Sequence, residues 1–165
     1  MAVIENDNYI QIKKNEDILR LGIRDEEGND TGNYLEFNLE DIELPLRYQE
    51  LLELDKKNYL KLRNQLTIIE KQQEHKGKKL LSSKEEARIK AYNEYYREEI
   101  RILNMFLGEN GVEKLLNGRA VSWGTLEEIY EILEKDIMPK LKVNAENIKE
   151  KIMKKYSNKR DDVIE

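Results

Sequence analysis

The fold of this chain is decided by residues 45–74, which read PLRYQELLELDKKNYLKLRNQLTIIEKQQE. Apolar side chains recur there at steps of three, four or seven residues, the spacing that places them on one side of an α-helix; they are Tyr48, Leu52, Tyr59, Leu62, Leu66 and Ile69. Asp55 interrupts this seam, and Gly77, in the Lys-rich break that follows, is the expected C-terminal cap. Pro45 suits a first helical turn, where its missing N–H would have no partner. A long amphipathic helix is therefore predicted.

Two segments before this helix alternate apolar and polar residues, which places three apolar side chains of each on one face of a strand. They are Leu19, Leu21 and Ile23, and then Leu35, Phe37 and Leu39. The intervening residues 25–33, DEEGNDTGN, are turn formers. A β-hairpin is predicted, with residues 9–12 as a candidate third strand. Because a lone hairpin is marginal in water, its apolar face is expected to lie on the helices or on another subunit.

The chain after the first helix is predicted to hold further helices. Ser83–Glu86 has the pattern of a capping box that opens a second helix, and its expected apolar face comprises Ile89, Tyr92, Tyr96, Leu103 and Phe106. A short helix at 112–116 should end at Asn117-Gly118. The next helix should start at Ser122 or Thr125 and should end or kink at Pro139. Asn144 is the expected cap of the last helix.

These elements predict a mainly α chain of α+β class, with a small N-terminal antiparallel hairpin or three-stranded meander and an elongated bundle of four to five helices. The expected divisions are a hairpin region at 1–43, a helical domain at 44–142, and a basic C-terminal helix with a frayed tail at 143–165. The chain has 38% charged and 39% hydrophobic residues, an apolar share below that of most globular domains. Self-association or a partner is therefore expected to complete the core, and a homo-oligomer is predicted.

The residue counts argue against familiar catalytic machinery. The chain has no cysteine and one histidine, His75, in a Lys- and Gly-rich break where a solvated loop residue is expected. It carries no glycine-rich phosphate-binding signature. The 25–33 loop lacks the central glycine of a calcium-binding EF-hand loop. We therefore predict a protein that is not an enzyme and has no cofactor or metal. No stretch approaches the length of a membrane span.

The charge is unevenly distributed along the chain. Residues 1–60 hold 15 acidic and 7 basic side chains, a net charge of −8, whereas residues 140–160 hold 8 basic and 2 acidic, a net charge of +6. Such polarity can align two copies head to tail or steer a charged partner. It also supports an alternative function, a small nucleic-acid-binding or regulatory protein that uses Lys151, Lys154, Lys155 and Tyr156, because basic and aromatic side chains bind phosphates and stack on bases.

Residues 103–141 resemble a pattern found in the tail-assembly chaperones of long-tailed (siphovirus-type) bacteriophages. In that family a helix ends in an aromatic-apolar-Gly-Glu-Gly stretch, a short helix ends in a Gly-Gly-Lys stretch, and an amphipathic helix closes the domain. The matching positions here are Phe106, Leu107, Gly108, Glu109, Gly111, Leu115, Leu116, Gly118 and Arg119, with Asn117 where glycine is common. The strand at 34–38, followed by Arg47-Tyr48 and a charged helix, is similar to the family's opening.

The resemblance implies a non-catalytic chaperone of virion morphogenesis in the cytoplasm of the bacterial host. Its partners would be the tape-measure protein and the tail-tube protein. An amphipathic helix laid in an apolar groove is a common recognition mode for such a helical client. Aromatic side chains are enriched at interface hot spots, so the candidate partner-binding residues are Tyr95, Trp123, Tyr130 and Phe106. Of the aromatics, Tyr95 and Trp123 are expected to be exposed, whereas Tyr92 and Tyr96 are expected in the core.

Overall fold

A computed structural model of the chain describes residues 10–11 and 17–161. Its elements in chain order are β1 (Ile18–Arg24), β2 (Asp30–Asn38), α1 (Leu44–Glu70), α2 (Ser83–Leu107), α3 (Gly111–Leu116), α4 (Trp123–Ile132), a π-helical turn (Leu133–Ile137) and α5 (Met138–Asp161). The predicted class, mainly helical α+β with an N-terminal antiparallel hairpin, is confirmed.

The hairpin forms as its alternation predicts. Strands β1 and β2 are antiparallel, with Leu21 opposite Leu35. The carboxylate of Asp25 closes the turn by accepting hydrogen bonds from the backbone N–H groups of Glu27 (3.0 Å) and Asn29 (2.8 Å). The buried side chains of the hairpin pack towards α2 and α3. Of the candidate third strand at 9–12, only residues 10–11 are described and they form no strand; the rest lies outside the described residues.

Helices α1 and α2 form an antiparallel pair, and both ends of the connecting loop differ from the sequence prediction. Helix α1 ends at Glu70, so Gly77 is not its cap. The exposed residues beyond Ile69, the last buried side chain of α1, have no packing to extend the helix. The capping box of α2 begins at Ser82, whose hydroxyl accepts from the N–H of Glu85 at 3.2 Å. Ser83 fits the same pattern, but its hydroxyl accepts from the N–H of His75 at 2.9 Å.

The core lies between α1, α2, the hairpin and the helices that follow α2. The ring of Phe106 lies 5.6 Å from those of both Phe37 and Tyr48, centroid to centroid. Part of the predicted α1 seam lies outside this core, because Leu52 and Tyr59 are each 43% exposed. Helix α2 packs against α1, and near its C-terminal end it also packs against the hairpin and α3. Its buried arc is therefore wider than the stripe of an amphipathic surface helix.

A continuous helical rod runs from α4 through the π-helical turn into α5. Ser122 is the N-cap. Of the two alternatives expected at Pro139, the helix end does not occur, and a π-helical turn precedes the proline instead. Asn144 lies inside α5, so the expectation that it caps the last helix is wrong. The wide turn lies immediately before Pro139, and we attribute it to the proline ring, which cannot pack against the carbonyl of the preceding regular turn. Residues 157–161, expected to fray, are helical, and 162–165 lie outside the described residues.

The rod lies antiparallel to α1. Its first residue, Trp123, packs near Tyr59 of α1, and Leu141 lies beside Leu44 and Pro45 at the start of α1. One stripe of the rod is buried along this length; its members are Leu126, Ile129, Leu133, Ile137 and Leu141. Most of these residues are four apart, and in a regular helix with 3.6 residues per turn such a row would gradually rotate away from α1. The π-helical turn, which has more residues per turn, keeps the row facing α1. Beyond Ile148, α5 extends past the start of α1 and its described side chains are exposed.

Candidate functional site

The clearest candidate binding surface is a groove of about 390 Å³ between α1 and α2, which we call the aromatic groove. We define it by its apolar lining, which consists of Tyr59, Leu62 and Leu66 from α1, Tyr92 from α2 and Trp123 from α4. Three of these side chains are large and partly exposed: Tyr59 at 43%, Trp123 at 42% and Tyr92 at 37%. Such an exposed aromatic cluster on packed helices is typical of a protein-binding surface.

The position of Trp123 is fixed by the start of α4. Ser122 caps the helix by accepting from the N–H of Thr125 at 3.2 Å, which sets the direction in which the next residue leaves the cap. The indole N–H of Trp123 donates to the carboxylate of Glu127 at 2.8 Å. Its ring stacks on Tyr95, with centroids 5.9 Å apart and planes at 22°. Trp123 therefore closes one end of the groove in a fixed orientation.

The four predicted partner-binding residues have different environments. Trp123 is exposed, as expected. Tyr95 and Phe106 are buried, each 7% exposed, so the expectation that Tyr95 faces solvent is wrong. Tyr130 is half-buried and its hydroxyl is engaged within the protein. The structure thus brings Tyr95 under Trp123 but leaves Phe106 in the core beneath the hairpin.

The predictions for Tyr92 and Tyr95 of α2 are wrong, whereas Tyr96 packs against the core, as expected. Tyr92, expected in the core, is exposed in the groove, whereas Tyr95 is central. The rings form a continuous series in which Tyr92 contacts Tyr96 (6.1 Å) and Tyr96 contacts Tyr95 (5.7 Å). Tyr59 was missed as a surface residue, and the available signal was its place beside Asp55, where the α1 seam is interrupted.

A cluster of polar side chains is buried between α1, α2 and α4. Glu99 is fully buried and accepts hydrogen bonds from the Asn58 amide at 3.0 Å and from the Tyr130 hydroxyl at 2.6 Å. Asn58 also donates to the backbone carbonyl of Tyr95 at 3.1 Å. Buried polar groups are costly unless they are paired, and in the described part of the chain every buried side-chain polar atom has a partner.

Burial raises the pKa of Glu99 to about 7 from its usual 4.5. Hydrogen bonds from Tyr130 and Asn58 favour the charged carboxylate and lower the pKa, whereas the neighbouring carboxyl of Asp55 raises it. Burial and the nearby Glu99 also raise the pKa of the Tyr130 hydroxyl, which therefore stays protonated as a donor. Because Glu99 has no exposed surface, the cluster can hold the three helices in register but presents no carboxyl to a substrate.

The residues of the nucleic-acid alternative lie on α5. Lys151, Lys154 and Lys155 are exposed, and Tyr156 is 64% exposed. Ile152, one turn before Tyr156, is 45% exposed on the same side of the helix. This surface is therefore both basic and apolar, which suits an acidic partner of either protein or nucleic-acid nature.

Two tight corners join α2 to α4 through α3. Gly108 ends α2 with φ +95°, and Asn117 ends α3 in the left-handed region at φ +48°. A Cβ at Gly111 would lie 2.5 Å from the Cβ of Leu107, which only glycine avoids. The guanidinium of Arg119 then pairs with Glu128 at 3.1 Å. The residues that carry the family resemblance thus have structural roles at this junction.

No metal-binding group of three or more His, Asp or Glu side chains occurs within residues 10–11 and 17–161. Over the same described ranges, none of the helices combines the length and apolar character that a bilayer crossing requires. Comparison of the chain with protein-family models, with curated proteins and with solved structures finds no match. The class that the fold and the surface define is therefore a mainly helical α+β protein with an exposed aromatic groove.

Proposed function

We propose that this protein is a non-catalytic tail-assembly chaperone that holds an amphipathic helix of the tape-measure protein in the aromatic groove. The observation that carries the proposal is the groove itself, in which Tyr59, Tyr92 and Trp123 are exposed above an apolar floor. A chaperone for a long helical client needs such a surface, because an unassembled coiled-coil or bundle segment has an apolar seam that must be kept from water.

The position of α4 supports a helical occupant. The rod packs along one side of the α1–α2 pair and begins at Trp123. The aromatic groove continues from that point along Leu62 and Leu66 of α1. A client helix placed end to end with α4 would therefore pack beside α1 in the same way as the rod does.

The family resemblance supports the choice of client. Its residues lie at the α2–α3–α4 junction, and the junction orients Trp123 at the end of the groove. In this proposal the junction residues build the scaffold, and the aromatic residues of the groove bind the client. A tail-tube protein would be a second, later partner that competes with the client.

The test is co-expression of the full chain with the tape-measure protein of the same genome, followed by purification through a tag on the chain. We expect a stable complex, and we expect Tyr59→Ser and Tyr92→Ser each to weaken it about tenfold or more, the scale of an interface hot spot. Tyr34→Ser is the matched control, because Tyr34 is 41% exposed but lies on the hairpin. Failure of the wild-type chain to bind either tape-measure or tail-tube protein at micromolar concentration would refute the proposal.

The second candidate function is nucleic-acid binding by α5, which the exposed Lys151, Lys154 and Lys155 favour. Phosphate contacts by lysines make affinity fall steeply with salt. An electrophoretic shift of DNA or RNA that disappears between low and physiological salt, and that Lys151→Glu removes, would support this candidate. Groove variants such as Tyr92→Ser should leave such binding unchanged, so the two functions are separable.

A further inference from the structure

The last turns of α5 form a second unoccupied surface, which we call the overhang and define as residues 149–157. The apolar stripe of α5 has two parts. Leu141, Ala145 and Ile148 lie against residues 41–45 of the same chain. Ile152 and Tyr156 continue that stripe at helical spacing but are 45% and 64% exposed. An established contact of the fold thus runs on into an uncovered surface.

The charge of the overhang restricts what can cover it. It carries four lysines and one glutamate, and Lys149 and Lys155 flank the Ile152–Tyr156 stripe on either side by helical spacing. Two overhangs packed against each other would bring these lysines together, which is unfavourable. The occupant must therefore offer apolar contact for the stripe and acidic groups for its rims.

The first half of α1 has this chemistry. Leu46 is 65% exposed, and Glu50 and Glu53 are exposed four and seven residues further on, which places all three on one side of the helix. Ile42, just before α1, is 62% exposed. We call Leu46, Glu50 and Glu53 the outer face of α1. Its apolar start and acidic continuation complement Ile152, Tyr156 and the lysines of the overhang.

We propose that two copies of this chain form a reciprocal dimer in which the overhang of each lies on the outer face of α1 of the other. The topology permits closure. Because α5 is antiparallel to α1 in its own chain and passes the start of α1 near Ile42, a twofold axis near that point lays each overhang parallel to the partner's α1. The same contact is then made twice, which closes the assembly at two subunits.

The arrangement is tested by exchanging charges in the full chain. One variant carries Lys149→Glu and Lys155→Glu, and a second carries Glu50→Lys and Glu53→Lys. Each variant alone would face like charges at both contacts, and we expect its dimer dissociation constant to rise about tenfold or more by sedimentation velocity. An equimolar mixture of the two restores opposite charges at both contacts, so it should form a heterodimer as stable as the wild-type dimer.

Matched controls carry the same number of reversed charges at exposed positions elsewhere, namely Lys76→Glu with Lys78→Glu, and Glu74→Lys with Glu109→Lys. These should dimerise like wild type, and circular dichroism should show unchanged helix content in every variant, since no changed residue lies in the core. The wild-type dimer should weaken as salt is raised.

Three results would overturn the proposal. The first is a monomeric wild-type chain at concentrations up to about 100 µM, at which a dimer with a dissociation constant of about 1 µM would be almost fully formed. The second is dimerisation of both charge variants as strong as that of wild type. The third is a mixture that remains monomeric, which would show that the two surfaces do not meet. Binding of nucleic acid by a monomeric wild-type chain would assign the overhang to a polyanion instead.

Discussion

The indole ring of Trp123 lies on the ring of Tyr95, with centroids 5.9 Å apart and planes at 22°. One face of the indole covers Tyr95, which is only 7% exposed, while Trp123 itself remains 42% exposed. A single side chain therefore both completes the core and forms the end of the aromatic groove. Trp123 is the only tryptophan of the chain, so its fluorescence reports on this one place.

Trp123→Ala should destabilise the protein, because it uncovers Tyr95 and removes the stacked pair. We expect the free energy of unfolding to fall by about 1–2 kcal/mol, the loss of an aromatic pair together with part of its buried area. Urea denaturation followed by circular dichroism measures the change. Leu80→Ala, at a large apolar residue that is 91% exposed in the loop between α1 and α2, should change stability by less than about 0.5 kcal/mol. Equal effects of the two substitutions would contradict the covering role of Trp123.

The buried Glu99 should make stability depend on pH. In the folded chain its pKa is about 7, against a usual value of 4.5. Between these values the folded state holds a proton that the unfolded state has released, so the free energy of unfolding falls as the pH rises through this window. The stabilisation from the protonated Glu99 is complete below pH 4.5 and is lost above pH 7. At about 1.4 kcal/mol per pKa unit, it amounts to at most about 3 kcal/mol in the free energy of unfolding.

The measurement is urea denaturation at about pH 5 and pH 8 for wild type and for Glu99→Gln, which cannot ionise. Other groups titrate in both proteins, so the difference between the two pH slopes isolates Glu99. We expect the stability of wild type to fall more than that of Glu99→Gln over this range. Identical slopes would show that Glu99 does not carry a raised pKa.

Tyr130→Phe should raise the pKa of Glu99 further. The Tyr130 hydroxyl donates to Glu99 at 2.6 Å, and this hydrogen bond favours the carboxylate. Without it the carboxyl should hold its proton to higher pH, and the protein should lose about 1 kcal/mol of stability at neutral pH. Carbon-13 NMR titration of the Glu99 carboxyl measures the shift directly. Tyr96→Phe is the control, and an unchanged or lowered midpoint in Tyr130→Phe would refute the hydrogen bond.

How far the fold could be predicted depends on how many neighbours each element has. The hairpin packs one face, so simple alternation at Leu21 and Leu35 was enough. Helix α2 packs against α1, α3 and the hairpin, and its buried arc is centred on Tyr95 and Glu99 rather than on the expected Tyr92 side. The helical period predicts one buried face for each helix. It cannot predict the centre of the buried arc of α2, because the hairpin that also covers this helix lies far away in the sequence.

The candidate site shows the same limit. Trp123 could be placed at a surface from its position next to a capping serine, which is a local signal. The groove could not be predicted, because it depends on where the rod begins relative to Tyr59 of α1. The continuity of the rod was also hidden, since Pro139 is a local signal for a helix end and the preceding π-helical turn overrides it. The sequence around Asp55 also does not indicate that its neighbour in the fold is the buried Glu99 of α2.

Gly111→Ala should disrupt the corner between α2 and α3. The added Cβ would stand 2.5 Å from the Cβ of Leu107, and neither atom belongs to the far end of a flexible side chain. The backbone must therefore shift, and we expect a loss of about 1–3 kcal/mol in the free energy of unfolding, as for other overpacked positions. Thermal or urea denaturation provides the measurement.

Gly124→Ala is the matched control for this substitution. Gly124 lies in the first turn of α4, and the nearest atom to an added Cβ there is the Ser122 hydroxyl oxygen at 3.9 Å, an ordinary contact. The helix preference of alanine should stabilise this variant by up to about 1 kcal/mol. The two substitutions should thus act in opposite directions although the chemical change is the same. A stabilising effect at both positions would show that the α2–α3 corner is looser than its geometry implies and does not require glycine at position 111.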